Sequence, residues 1–167
     1  MTGSLQRSDP RRDQGEEIQL VVFEIAGSDY GVRILDVREI IRVPQITSVP
    51  GAGEAVEGII NLRGQVIPVI DLRKRLGTLA RELGREARII VVSTESRLVG
   101  VIVDAVKEVV RIPASAIEPP PQEVVVESRL GRRSIEGIGR VGDRLLILLS
   151  LSELLRVDEE SPVGISA

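Results

Sequence analysis

The chain has 167 residues, 43% of them hydrophobic, with one Phe, one Tyr and no Trp, and 25 acidic against 22 basic side chains give a formal charge of −3. It contains no His and no Cys, which excludes imidazole acid–base catalysis, phosphohistidine chemistry, thiol nucleophiles, disulfides and the usual zinc sites. Basic residues are scattered and aromatic residues nearly absent, so no nucleic-acid partner is expected. A chain of this size can bury roughly 70% of its unfolded surface, and Val, Ile and Leu carry almost all of that burial, a composition that favours strands.

Residues 1–16 combine Pro10 with Ser, Gln, Gly and alternating charges without apolar periodicity, and read as a disordered leader. No apolar signal segment opens the chain and no later apolar run reaches spanning length, which predicts a cytoplasmic protein with no direct membrane insertion. Residues 18–25, IQLVVFEI, predict a strand, 27–29 a hairpin turn and 30–34 its partner. Residues 37–43 are apolar at 37, 40, 41 and 43, a pattern given equally by a helical turn leading into a strand and by a bent strand. A loop marked by Pro44, Pro50, Gly51 and Gly53 follows. Residues 56–62 and 65–70 then flank a turn at Arg63 and Gly64. Asp71 is placed to cap a short helix ended by Gly77, with Arg73, Lys74 and Arg75 as its solvated side. Residues 78–87 form a polar connector.

The second half repeats the first. GVRILDVREIIRVP at 31–44 returns as GVIVDAVKEVVRIP at 100–113, with six of fourteen positions identical and five more conservative. Glu57, Gly58 and Ile59 then meet Glu136, Gly137 and Ile138, so the offset grows from 69 to 79 through one insertion. Two copies are too few for a solenoid, and a pair of similar modules is the better reading. The predicted organisation is a first β-barrel module at 17–86, a second at 87–157 and a flexible tail at 158–167, with a crossing of an end strand between modules left open. Short strands broken by Gly and Pro favour small closed barrels over an open sheet, and Ser150 with Glu153 sets a capping box ahead of a terminal helix.

No constellation points to a reaction. Glu39 and its counterpart Glu108 sit among apolar neighbours, but nothing places the two together for acid–base work. Asp36, Asp71 and Asp104 lack the spacing of a calcium loop and are better explained by caps and turns. Gly137, Ile138 and Gly139 imitate only the opening of a phosphate-binding loop. A carboxylate-based enzyme is therefore the weak alternative, and no cofactor or metal is expected. The densest feature is EGIINLRGQVIPVIDL at 57–72, where an apolar hairpin carries a tip of Asn61, Leu62, Arg63 and Gly64. Arg63 either pins a neighbouring loop through Glu39 or Glu57 or presents its guanidinium outward, and both can hold at once. The aligned residues in the second copy are Arg140, Val141, Gly142 and Asp143, so the arginine tip occurs once. Exposed apolar residues such as Val37 and Leu62 are expected on loops, as a surface for partners.

GIINLRGQVIPVIDLRKRLG, preceded by VREI and followed by RIIVV, GVIVDAVKEVV and RLLILLSLSELL, resembles the bacterial chemotaxis coupling-protein family CheW from about Ile18 to Leu155. The resemblance implies an all-β fold of two five-stranded SH3-like β-barrels packed on a shared hydrophobic seam. It further implies an adaptor without catalysis that joins the cytoplasmic tip of chemoreceptors to the regulatory domain of the histidine kinase CheA, in an array at the membrane. Carried onto this chain, it marks Val37, Glu39, Asn61, Leu62, Arg63 and Gly64 as the partner-binding surface, with Gly58, Gly100 and Val106 as further candidates. A service in pilus motility or development rather than flagellar chemotaxis is the alternative within the same family.

Overall fold

Runs that are apolar at every position, such as LVVF at 20–23 and IIVV at 89–92, need cover on both faces. A computed structural model describes residues 16–78, 81–95, 97–123 and 134–160, and gives both runs that cover. The elements are β1 (Glu17–Ile25), β2 (Ser28–Arg33), β3 (Val37–Arg42), β4 (Val56–Leu62), β5 (Gln65–Asp71), α1 (Leu72–Arg75), β6 (Arg88–Ser93), β7 (Leu98–Val103), β8 (Ala105–Pro113), β9 (Ile135–Val141), β10 (Arg144–Leu149) and α2 (Leu151–Glu160). They form two five-stranded sheets, as the sequence predicts for a mainly β chain. Sheet one has the order β8-β1-β2-β10-β9 and sheet two the order β3-β6-β7-β5-β4.

The sheets do not follow the 17–86 and 87–157 division. Sheet one takes its first hairpin from the first repeat and three strands from the second, and sheet two does the reverse. Chain geometry dictates this exchange. In sheet one the strand beside β1 on its free side is β8, antiparallel to β1 and so parallel to β2. For β3 to take that place, the chain would have to return along the six residues of β2, about 20 Å. Only Ile34–Asp36, a 3₁₀ turn, separates β2 from β3, and three residues reach about 10 Å. The chain crosses to the other sheet instead, and it crosses back at Asp104, between β7 and β8.

Both faces of β1 and β6 are used. Val21, Phe23 and Ile25 join Ile90, Val92, Val101, Leu149, Leu151, Leu154 and others in a seam shared by the two sheets. Leu20 and Val22 point the other way, into a cluster with Ile112, Leu146 and Leu148 inside sheet one. Ile89 and Val91 do the same with Ile60, Ile67, Val69 and Ile102 inside sheet two. The sole Phe and the sole Tyr stack across β1 and β2, with centroids 6.0 Å apart.

The repeats agree in their irregularities. Bulges at Arg38 and Lys107, and at Glu57 and Glu136, occupy equivalent positions. Thr47, beyond β3, bridges Ile59 of β4, and Glu118, beyond β8, bridges Ile138 of β9, so each sheet joins its two edges at one point. The first hairpin turns at Ala26 and Gly27, both at positive φ, one residue earlier than predicted. The ambiguous segment at 37–43 resolves into a bulged strand that starts at Val37, the 3₁₀ turn at Ile34–Asp36 lying before it. Glu16 belongs to the structure, its carbonyl accepting a hydrogen bond from Ala114 N, and α2 continues to Glu160 into the expected tail. Residues 1–15 of the leader and 161–167 of the tail lie outside the described residues.

Candidate interaction site

The hairpin of β4 and β5 closes through two residues at positive φ, Arg63 at 52° and Gly64 at 85°, the backbone pair that matches the twist of the flanking strands. Asn61 Oδ1 accepts from Gly64 N at 2.8 Å and fixes the tip. The bulge at Arg38 shifts the β3 register, pairing Glu39 with Val91. The carboxylate and the guanidinium then meet as a fork, Nη1 to Oε2 at 2.5 Å and Nη2 to Oε1 at 2.6 Å. Two parallel charge-assisted bonds fix orientation as well as distance. Arg63 keeps 71% of its side-chain surface in solvent against 23% for Glu39, so it pins β3 and faces outward at once. Glu57, the other candidate partner, pairs with Lys74 at 3.1 Å.

Hydrogen bonding from Arg63 holds the Glu39 carboxyl below its ordinary value of 4.5. The fork's contribution is therefore complete above that value and is lost as pH falls through the depressed one. At neutral pH it is intact.

Glu39, on the edge strand β3, and the tip at 61–64, on the hairpin at the opposite edge of sheet two, thus come together where the two edges of the sheet meet. Val37 lies two residues before Glu39, but it and Leu62 are half-buried strand residues packed on the seam and on the interior of sheet two, not loop residues in solvent. Val106 lies on β8 in sheet one, packed against the seam. Gly58 and Gly100 are buried: a Cβ on Gly58 would overlap the Thr47 carbonyl, and one on Gly100 would stand 2.9 Å from Ile89 Cγ2. Both admit close packing and present no side chain to a partner.

The exposed aliphatic residues are others. Leu35 has 92% of its surface in water at the crossover between the sheets, and Ile40 and Val66 are exposed near the fork. Leu35 falls between the strand predicted at 30–34 and the segment at 37–43, so no predicted element presents it. Its signal was the alignment, which sets Leu35 against Asp104. The second copy carries a charge cluster at the corresponding place, without the two-bond fork. Glu108 meets Arg144 at 3.2 Å, and Arg144 and Lys107 both pair with Asp29, at 2.7 and 3.0 Å. The arginine comes from the first residue of β10 rather than from the hairpin turn.

Among the described residues no three His, Cys, Asp or Glu side chains converge to hold a metal. A rigid charged fork flanked by exposed aliphatic side chains, on a duplicated two-sheet β scaffold, has the chemistry of a protein contact surface. Residues 19–159 match the family model described as CheW-like domain, and the chain belongs to the CheW family. It is 37% identical over 143 residues to the chemotaxis protein CheW of Bacillus subtilis strain 168, covering 86% of this chain and 88% of that protein. It is 30% identical over 150 residues to protein FrzA of Myxococcus xanthus, covering 89% and 91%. The crystal structure of the scaffolding protein TtCheW from Thermoanaerobacter tengcongensis superposes with a TM-score of 0.75 at 41% identity, over 83% of this chain and 88% of that one.

Proposed function

We propose that this chain is a chemotaxis coupling adaptor that holds chemoreceptors and the histidine kinase CheA together without a catalytic step of its own. Coupling then arises from simultaneous occupancy of two surfaces on one scaffold. The receptor tip and the regulatory domain of the kinase are the partners, and the adaptor works in the cytoplasm, recruited to receptor arrays. The observation that carries this reading is the solvent-facing Glu39–Arg63 fork, at the positions where the family resemblance puts the contact surface.

Co-sedimentation with receptor-bearing membranes and CheA tests it, and failure to form a ternary complex with any receptor and kinase of the same cell sinks it. Arg63→Glu sets two carboxylates face to face. It is expected to cut receptor-dependent kinase activation by about tenfold or more, while the circular dichroism spectrum stays that of the parent. Full activation by this variant would move the contact surface elsewhere. Leu35→Asp removes an apolar side chain that already lies in water, so stability should stay within about 0.5 kcal/mol. Ternary complex formation should fall by about tenfold, as for loss of an apolar anchor, and complex formation at full strength would remove Leu35 from the surface.

FrzA, which carries a different name, matches over as much of the chain as the CheW proteins do, so a coupling protein of a pilus-motility or developmental system is the second reading. The receptors recovered in a pull-down with this chain decide between the two.

A further inference from the structure

Duplication makes equivalent positions comparable, and one set of them differs in kind. By the offsets of 79 and 69, Asp71, Arg73 and Asp104 correspond to Ser150, Ser152 and Leu35. The first three form an ion network at one crossover. Arg73, only 6% exposed, forks onto Asp71 with Nε to Oδ1 at 3.0 Å and Nη2 to Oδ2 at 2.9 Å. Its Nη1 donates to the Arg81 carbonyl at 2.7 Å and to Asp104 Oδ1 at 3.4 Å.

Asp104 is the single residue between β7 of sheet two and β8 of sheet one. Its other carboxylate oxygen accepts from Ala26 N at 2.9 Å, in the β1–β2 turn, and its own N–H donates to the Glu24 carbonyl. One guanidinium thereby ties the helix that follows sheet two to the crossover, and the crossover to a hairpin of sheet one. At the opposite crossover Leu35 stands in water, and the serines that replace Asp71 and Arg73 lie with their hydroxyls 3.4 Å apart. Two hydroxyls and an alkyl group supply neither the charge nor the reach of the network.

We infer that Arg73 is a clamp: it fixes the angle between the two sheets by charge at the Asp104 crossover, while on the other side α2 packs Leu151, Leu154 and Leu155 onto the shared seam. The clamp rests on this geometry alone. Its consequence, that the clamp sets the angle between a partner on one sheet and a partner on the other, rests on the adaptor reading.

The chain has no Cys, so a single spin-label pair can be placed at Arg42→Cys on β3 and Arg111→Cys on β8, exposed equivalent positions on different sheets. Pulsed electron–electron resonance then reads the distance between sheets in the isolated protein, with no partner needed. Asp104→Asn keeps an oxygen for Ala26 N but turns its amide donors toward Arg73. It should shift or broaden the distance distribution by roughly 2 Å or more, the scale of a hinge movement, while Leu35→Ser leaves it as in the parent. Should Asp104→Asn fail to fold, Arg73→Lys, which keeps the charge but loses the fork, is read by the same criterion. A lowered melting temperature with an unaltered distribution would make the network a structural ion pair only and overturn the clamp.

Discussion

Replacing Arg73 with alanine lowers the free energy of unfolding by about 3–5 kcal/mol, the cost of leaving one partner of a buried ion pair behind. Asp71 is 1% exposed, and its Oδ2 receives its hydrogen bond from the guanidinium. Without Arg73 the Asp71 carboxyl group stays buried with the backbone N–H of residue 73 as its remaining local donor, and the Arg81 carbonyl and Asp104 lose their shared donor. Replacing both charges by apolar residues, Asp71→Leu with Arg73→Leu, should recover part of the loss, because no charge is then buried unpaired. Recovery stays incomplete, since Asp71 also caps α1 and a lost cap costs about 1 kcal/mol. Urea denaturation of the parent and the two variants measures these differences. A loss under about 1 kcal/mol for Arg73→Ala, the range of exposed pairs, would mean that water reaches the network.

The sequence reading placed Arg73 in solvent, and the reason is specific. Three consecutive basic residues on a four-residue helix read as one polar face, but Asp71 serves as cap and counter-ion together, which turns Arg73 inward while Lys74 stays out. Nothing in LRKR alone signals this. Asp104 could only be paired with Arg73 once the chain was known to cross between sheets there. The crossing itself was within reach of the sequence: the distance between the end of one strand and the start of the next is a count of residues, and three residues cannot span the length of β2. That count needs strand ends accurate to a residue or two, whereas the segment at 37–43 was open between two conformations. With two similar copies, either hairpin suits either sheet, and only connector length decides.

The tip at 61–64 was legible because its physics is local. Consecutive left-handed residues, an Asx contact and a glycine are written within four positions. The choice of Glu39 over Glu57 as partner of Arg63 was not local, since it depends on the bulge at Arg38. The same holds for the Glu108–Arg144 pair of the second copy, where the acid is found by alignment but the arginine is displaced from Gly142 to Arg144. A comparison of aligned residues alone therefore overstates how unlike the two surfaces are. Their difference lies in which strand position supplies the cation and in the Asp29 and Lys107 charges beside it.

Gly58→Ala and Gly137→Ala should each destabilise the fold by about 1–3 kcal/mol, the cost of forcing one carbon into a closed space. The two glycines are equivalent, and each faces a backbone carbonyl together with an isoleucine methyl. On Gly58 the new Cβ would overlap Thr47 O, and on Gly137 it would stand 2.8 Å from Glu118 O and 2.5 Å from Ile117 Cγ2. Relief requires the segment beyond β3 or β8 to withdraw, which stretches the paired bonds between Thr47 and Ile59 at 2.9 Å or between Glu118 and Ile138 at 2.7 and 2.9 Å. Those bonds join the two edges of each sheet, so the damage should show as faster amide exchange at Ile59 or Ile138 and in urea denaturation. The glycines lie in different sheets, and the double variant should be close to additive. For Gly58 the same experiment separates packing from contact. If partner capture by Gly58→Ala falls only as far as its stability does, and returns under conditions that restore the fold, the glycine acts through the join at Thr47. A variant as stable as the parent that no longer captures its partners would instead make Gly58 part of the contact surface.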